Sequence, residues 1–167
     1  MMAQALVLSF FERLIPINFG IPGVKLGLAN IVSLVAIFIL GPVPALMIQI
    51  GRILLAGLMF GSGVSIFYSL SGGMLSILIM ILIYKTDMPK VTIIGLSTVG
   101  AVFHNIGQIL VAALIVKSLN IAYYLPILMV SGVITGIFVG ITSRYLVKAL
   151  YKWNMTGSNQ SGILERL

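Results

Sequence analysis

The sequence predicts an all-α integral membrane protein, built as a bundle of six transmembrane helices. Composition is the first indication, because 60% of the 167 residues are hydrophobic and only 8% are charged, whereas soluble domains carry roughly 25% charged residues. Mean hydropathy is +1.20. The second indication is four long stretches with no Asp, Glu, Lys or Arg: residues 26–50, 53–84, 91–116 and 118–143. Each is longer than the about 20 apolar residues that cross a bilayer.

Breaker residues divide the chain into six predicted helices. Proline and glycine interrupt the apolar runs at residues 16–23, 41–44 and 61–63, and the hydrophilic segment KTDMPK separates helices four and five. The predicted helices cover residues 1–14, 25–40, 44–60, 65–84, 92–116 and 122–151. Gly72-Gly73 predicts a soft point within helix four. A single membrane domain over residues 1–153 and a polar, disordered cytoplasmic tail over 154–167 complete the predicted organisation.

The connection between helices one and two, IPINFGIPGV at residues 15–24, is unusually apolar for a loop. Two interpretations fit this composition. The segment either folds back over a cavity as a lid, or dips into the membrane interface.

Basic residues predict the orientation in the cell membrane. With six crossings, both termini lie on the side that holds most of them: Lys85, Lys90, Arg144, Lys148 and Lys152. Arg13, Lys25 and Lys117 fall on the other side. Because cytoplasmic ends carry an excess of lysine and arginine, both termini are predicted to be cytoplasmic. The net charge of +7 has the same explanation. The sequence contains no basic patch interleaved with aromatic residues, so it does not indicate nucleic-acid binding. The opening residues lack the features of a signal peptide.

Polar side chains inside the predicted helices mark a candidate ligand site, because such groups are costly in hydrocarbon and usually face a cavity or another helix. In helix five, spacings of three and four place five residues on one stripe: Ser97, Ala101, His104, Gln108 and Ala112. Asn105 lies beside the stripe, and Asn30 and Ser33 form a polar notch in helix two. The alternative role is to join helices by hydrogen bonds, at about 0.6 kcal/mol each.

Arg52 is the most informative single residue, since a buried arginine requires an anionic partner or a watery cavity. Gln49 lies three residues before it, on the same helix face. The predicted partner is either Glu12, which with Arg13 lies at the outer mouth, or the carboxylate or phosphate of a ligand. Lys25, near the same mouth, either contributes to this anion site or extends to lipid headgroups.

Small residues recur at helical spacing and predict close contact between helices. One pair is Gly57 with Gly61, and a longer row comprises Gly132, Gly136 and Gly140. These stripes pack inside the bundle, or one of them docks on a partner membrane protein.

Catalytic and metal-binding signatures are missing from the sequence. It contains no cysteine, which excludes disulfides, thiolate catalysis and cysteine-based metal sites. No Walker loop, aspartate-rich pair, HExxH or GxSxG motif is present. One histidine and three acidic residues provide no catalytic constellation. The sequence therefore predicts no catalytic residue, no metal site and no cofactor.

Several blocks of the sequence resemble the Gx transporter family, which is also catalogued as heptaprenyl diphosphate synthase component I. The blocks are IPINFGIPGVKLGLANIVSLVAIFILG, GRILLAGLMFG, SLSGGMLSILIM and VGAVFHNIGQILVAALI. The resemblance covers residues 5–152, and residues 23–30 and 104–108 are its most specific parts. This family is in turn similar to the substrate-binding S components of energy-coupling-factor (ECF) transporters, which are small six-helix membrane proteins.

The resemblance implies a ligand site that faces outward beneath the loop between helices one and two. It also implies a transmembrane coupling subunit and two ATPases as partners. We therefore predict a non-enzymatic, S-component-like subunit that binds a small, partly apolar, acidic micronutrient or precursor for import. The candidate substrate-binding residues are Lys25, Asn30, Arg52, His104, Asn105 and Gln108.

Two alternatives remain at this stage. The first is a heptaprenyl diphosphate synthase component or an accessory membrane subunit of menaquinone and prenyl-quinone metabolism, although the sequence lacks the clustered aspartates that bind magnesium in prenyl diphosphate synthases. The second is a structural membrane scaffold, in which the polar stripe of helix five would only join helices.

Overall fold

A computed structural model describes residues 1–14, 27–61, 63–86 and 91–154. Within these ranges the chain is helical and contains no strand. One short 3-10 helix, Leu119–Tyr124, precedes the last α-helix. The α-helices are α1 (Met2–Leu14), α2 (Leu28–Ile39), α3 (Pro42–Phe60), α4 (Gly63–Lys85), α5 (Ile93–Val116) and α6 (Leu125–Asn154).

Four of these helices, α3 to α6, are long and apolar enough to cross a membrane. The other two are shorter apolar helices of 13 and 12 residues. At 1.5 Å per residue, α1 and α2 are about 20 Å and 18 Å long, less than the about 30 Å thickness of the hydrocarbon layer. The structure thus shows an all-helical membrane protein with four helices of spanning length, and two helices that were predicted to span are short in the described residues.

Helix α2 is the most deeply buried of the described α-helices. Nine of its twelve residues are buried, and a helix that is apolar around its whole circumference belongs in a protein interior. Leu34 and Ile37 of α2 belong to one hydrophobic core with Ile77 of α4, Leu96 of α5 and Val147 of α6. The shortest α-helix therefore supplies core contacts to three of the longer helices.

The other helices form a ring that α2 closes. Consecutive helices from α2 to α6 pack against one another, and α6 returns to contact α2, while α1 packs on α2 and α3. At one end of α2 the hydroxyl of Tyr151 donates a hydrogen bond to the carbonyl of Phe38, at 3.1 Å. This bond satisfies one of the carbonyls that the last turn of a helix leaves unpaired. The ring of Tyr84 packs edge-on against Phe38.

Glycine permits the closest contacts between helices. A Cβ atom on Gly107 of α5 would lie 2.7 Å from the carbonyl oxygen of Ser71 in α4, and one on Gly72 would lie 2.7 Å from the carbonyl oxygen of His104. Helix α4 continues without a break through Gly72 and Gly73, where the sequence predicts a soft point. These two glycines instead let neighbouring helices approach.

The glycine row of α6 packs inside the bundle, against α5. A Cβ atom on Gly136 would lie 2.6 Å from the Cα atom of Thr98, and one on Gly140 would lie 2.7 Å from the Cα atom of Ile94. Of the two roles considered for this row, the structure therefore shows internal packing.

Helix boundaries agree with the predicted ones to within two residues except at the start of α2 and at both ends of α6, which differ by three residues. Gly27, inside the predicted second helix, has a φ of 72°. This left-handed conformation suits glycine but not a helix interior, so α2 begins at Leu28. Pro126 lies in the first turn of α6, where its missing N–H is tolerated; the residues before it form the 3-10 helix. The apolar loop at residues 15–24, Lys25, and residues 155–167 of the tail lie outside the described residues.

We expect Gly107→Ala to destabilise the protein, because the added methyl group meets backbone atoms of α4 that cannot move aside. Overpacking of this kind costs about 1–3 kcal/mol. Gly95→Ala, in the same helix, is the matched control, since its Cβ would lie 3.6 Å from the nearest atom and alanine favours a helix over glycine. Thermal unfolding in detergent should show a lower midpoint for Gly107→Ala only. Equal midpoints would contradict the close α4–α5 contact.

Candidate functional site

The bundle encloses a cavity of about 200 Å³ that is lined by residues from all six α-helices. Its apolar lining includes Leu34, Ile53 and Val139. Its polar lining comprises Ser9, Glu12, Asn30, Arg52, Ser69, Ser76, Ser97, His104, Asn105 and Thr135. A cavity with this many polar groups among membrane helices is suited to a ligand with both apolar and polar parts.

Arg52 is held in the cavity wall by hydrogen bonds to two amide side chains. Its Nη2 donates to Oδ1 of Asn30, at 3.2 Å, and to Oε1 of Gln49, at 2.9 Å. Gln49 Oε1 also accepts a hydrogen bond from the hydroxyl of Ser33, and both Gln49 and Ser33 are almost completely buried. The guanidinium is therefore fixed from α2 and α3 together. Its Nε is buried and has no hydrogen-bond partner in the described part of the chain.

Glu12 joins α1 to the start of α2. Its Oε1 accepts a hydrogen bond of 2.6 Å from the backbone N–H of Gly27, which precedes the first residue of α2. This places a carboxylate at the positive end of the helix dipole. Glu12 and Arg52 line the same cavity, but among the described residues their hydrogen bonds go to other partners. The predicted pairing with Glu12 is not among the described hydrogen bonds of Arg52, which go to neutral amides.

Helix α5 contributes His104 and Asn105 to the cavity. Asn105 also donates from Nδ2 to the backbone carbonyl of Leu128 in α6, at 2.6 Å. It therefore serves both roles considered for the polar residues of this helix, lining the cavity and joining two helices. Gln108 is buried but is not part of the cavity lining. Its side chain lies beside Gly72 of α4, where it fills the interface between two helices.

The structure thus brings four of the six candidate binding residues to one cavity: Asn30, Arg52, His104 and Asn105. Glu12 lines the same cavity. Lys25 and the side chain of Arg13 lie outside the described residues. A role for Gln108 in binding stays a prediction, and its position in the structure favours a packing role.

Two kinds of residue were missed as site residues. Gln49 and Ser33 fix Arg52, and their signal was present in the sequence as the polar notch of α2 and the shared face of α3. Ser9, Ser69, Ser76 and Thr135 line the cavity without any such signal. Ser9 shows why: its hydroxyl bonds to the carbonyl of Ala5, four residues earlier, as serine does in many helices regardless of a site.

A comparison with protein-family models gives a match to heptaprenyl diphosphate synthase component I over residues 1–146. The chain belongs to this family. The match includes every residue that lines the cavity, so the heptaprenyl diphosphate synthase component I family is defined over the part of the chain that forms the site. Comparisons with curated proteins and with solved structures returned no match. Similarity to ECF S components stays a prediction.

Access to the cavity can be measured by cysteine labelling, because the chain contains no native cysteine. We expect Ser76→Cys, in the cavity lining, to react with a small methanethiosulfonate reagent about tenfold faster than Ser143→Cys. Both serines are buried, but Ser143 is not part of the lining. A thiol packed among apolar residues stays protonated and inert, whereas water in the cavity permits reaction. Equal rates would contradict an accessible cavity.

Proposed function

We propose that this protein is the substrate-binding subunit of a membrane importer, and that it binds a small, partly apolar ligand with an acidic group. The observation that carries this proposal is Arg52, which faces a cavity between apolar helices while its described hydrogen bonds go to neutral amides. A guanidinium in a membrane helix is expensive to maintain and is a functional candidate by default. A carboxylate or phosphate is its natural ligand, because the planar donors match those oxygens.

The volume of the cavity supports a small ligand. An apolar cavity of about 150 Å³ accommodates benzene, and the cavity here measures about 200 Å³. A ligand of roughly ten non-hydrogen atoms follows from this comparison. A heptaprenyl chain is several times larger than benzene, so a prenyl compound would place only its head group in this cavity.

The distribution of polar groups supports a ligand with one acidic end and an apolar body. Arg52 lies on α3, and His104 and Asn105 lie across the ring on α5. Leu34 and Val139 add apolar surface to the same lining. In this arrangement Arg52 binds the acidic group, His104 and Asn105 donate or accept hydrogen bonds, and Asn30 holds the arginine in place.

The proposal includes the partners and location that an importer requires. A transmembrane coupling subunit and two ATPases would drive release of the ligand, as in ECF transporters. The protein would lie in the cell membrane with both termini in the cytoplasm. The basic residues at the ends of α4 and α6, such as Lys85 and Lys152, support this orientation through the positive-inside rule.

The family description supports a second candidate function, an accessory membrane subunit of heptaprenyl diphosphate synthesis or quinone metabolism. An intrinsic synthase is less well supported by the residues. Magnesium is bound through carboxylate oxygens and phosphates, but the whole chain has only three acidic residues. Within the described ranges, no three His, Cys, Asp or Glu side chains come together. The accessory role remains compatible with the cavity if a partner performs the chemistry.

The two functions predict different partners. We expect affinity purification from gently solubilised native membranes, with a tag on the C-terminal tail, to recover a membrane coupling protein and two ATPase subunits. Mass spectrometry identifies the recovered chains, and an unrelated tagged membrane protein expressed at the same level is the control. Recovery of a prenyltransferase or a redox flavoprotein, with no ATPase, would instead support the accessory role.

The proposed orientation can be tested with two single-cysteine variants. Tyr123 is 82% exposed and precedes α6, whereas the exposed Lys152 lies at the other end of the same spanning helix. We expect a membrane-impermeant maleimide to label Tyr123→Cys in intact cells, and Lys152→Cys only after the membrane is permeabilised. The unsubstituted chain has no cysteine and is the blank. The reverse pattern would place the C-terminus outside the cell.

A further inference from the structure

The geometry points to a zwitterionic ligand, one that carries a cationic or N–H donor group in addition to the acid that Arg52 binds. This inference rests on the proposed function and narrows its substrate class. Its basis is Glu12, which lines the same cavity as Arg52. The described lining therefore presents a guanidinium and a carboxylate to a bound ligand.

The first argument concerns charge balance. In the described lining Arg52 and Glu12 carry opposite charges, so their sum is zero. Counted over the described lining alone, a ligand with only an acidic group would leave an excess negative charge among membrane helices, where an unbalanced charge is expensive. A ligand with both charges leaves the sum at zero. It also gives each protein charge an opposite partner.

The second argument concerns how the two charges are held. Arg52 is fixed by the side chains of Asn30 and Gln49, and Glu12 by the backbone N–H of Gly27. If Arg52 and Glu12 served only to neutralise each other, a direct ion pair would do so more strongly, because the attraction between opposite charges falls with distance. Each charged group instead has its own hydrogen-bond partners among the described residues. Binding sites are built in this way, with each group oriented before the ligand arrives.

A third observation shows that Arg52 retains unused donor capacity. Both of its hydrogen bonds leave from Nη2, and its buried Nε has no partner among the described residues. A buried donor without a partner costs free energy. An acid bound at the guanidinium would give it a charged acceptor in addition to the neutral amides, while the second charge of the same ligand would face Glu12.

The experiment uses two sets of probes that share an apolar body and differ in charge. One set is leucine, isocaproate and isoamylamine, and the other is phenylalanine, hydrocinnamate and phenethylamine. Each probe is added at millimolar concentration to the full chain in nanodiscs, and thermal unfolding is followed by circular dichroism. We expect a zwitterion from at least one set to raise the unfolding midpoint, and to bind about tenfold more tightly than the acid and the amine of that set.

Charge-neutralising variants provide the decisive readout. Glu12→Gln should reverse the preference so that the acid binds better than the zwitterion, and Arg52→Gln should favour the amine. Lys152→Gln removes a charge from an exposed position of α6 and should preserve the original order. A residue with only a structural role would weaken all three probes together and would not change their order.

The outcomes separate this inference from the proposed function. Arg52-dependent binding of the acids, with no preference for the zwitterions and no effect of Glu12→Gln, would overturn the zwitterion while the proposed acidic ligand stands. A midpoint unmoved by every probe would overturn the assignment for ligands of this size. The proposed importer would then be judged on the partners recovered by affinity purification.

Discussion

The hydrogen bonds that hold Arg52 connect the main features of this structure. Gln49 accepts from both Arg52 and Ser33, so one buried amide oxygen joins the candidate site to the buried helix α2. Asn30, one turn before Ser33 on α2, holds the same guanidinium from a second direction. Because buried polar groups are tolerated only when their hydrogen bonds are made, α2 and α3 have one favourable register. The position of the candidate site follows from that register.

The helices pack closely against one another and also leave a cavity among them. Glycines bring the backbones of α4 and α6 into contact with α5 near Gly72, Gly107 and Gly136. Small residues of α5, such as Ser97 and Ala101, line the cavity beside these contacts. A tightly closed ring with a gap at its centre resists collapse, because its walls are supported by backbone contact. Such rigidity suits a binding site, since less freedom is lost when the ligand is bound.

Much of the fold followed from the sequence, because hydrocarbon leaves few structural choices. Apolar runs of sufficient length must be helical, and proline and glycine at residues 41–44 and 61–63 mark where helices end. Arg52, His104 and Asn105 were predicted as site residues because charged and polar residues are rare within such apolar helices. The short length of α2 was not predicted, because Gly27 within an apolar run resembles any other helix residue until its backbone angle is known. The packing position of Gln108 and the cavity-lining serines depend on neighbours from distant parts of the chain.

The burial of α2 also has a consequence for biogenesis. A ribosome delivers α2 to the membrane early, but its core partners on α4, α5 and α6 are made later. The bond from Tyr151 to Phe38 spans 113 residues of sequence. Until α6 has been inserted, the polar side chains of α2 lack part of the enclosure that they have in the finished protein. The candidate site is therefore assembled in the last stage of synthesis, and a chain that stops before α6 would form an incomplete ring of helices.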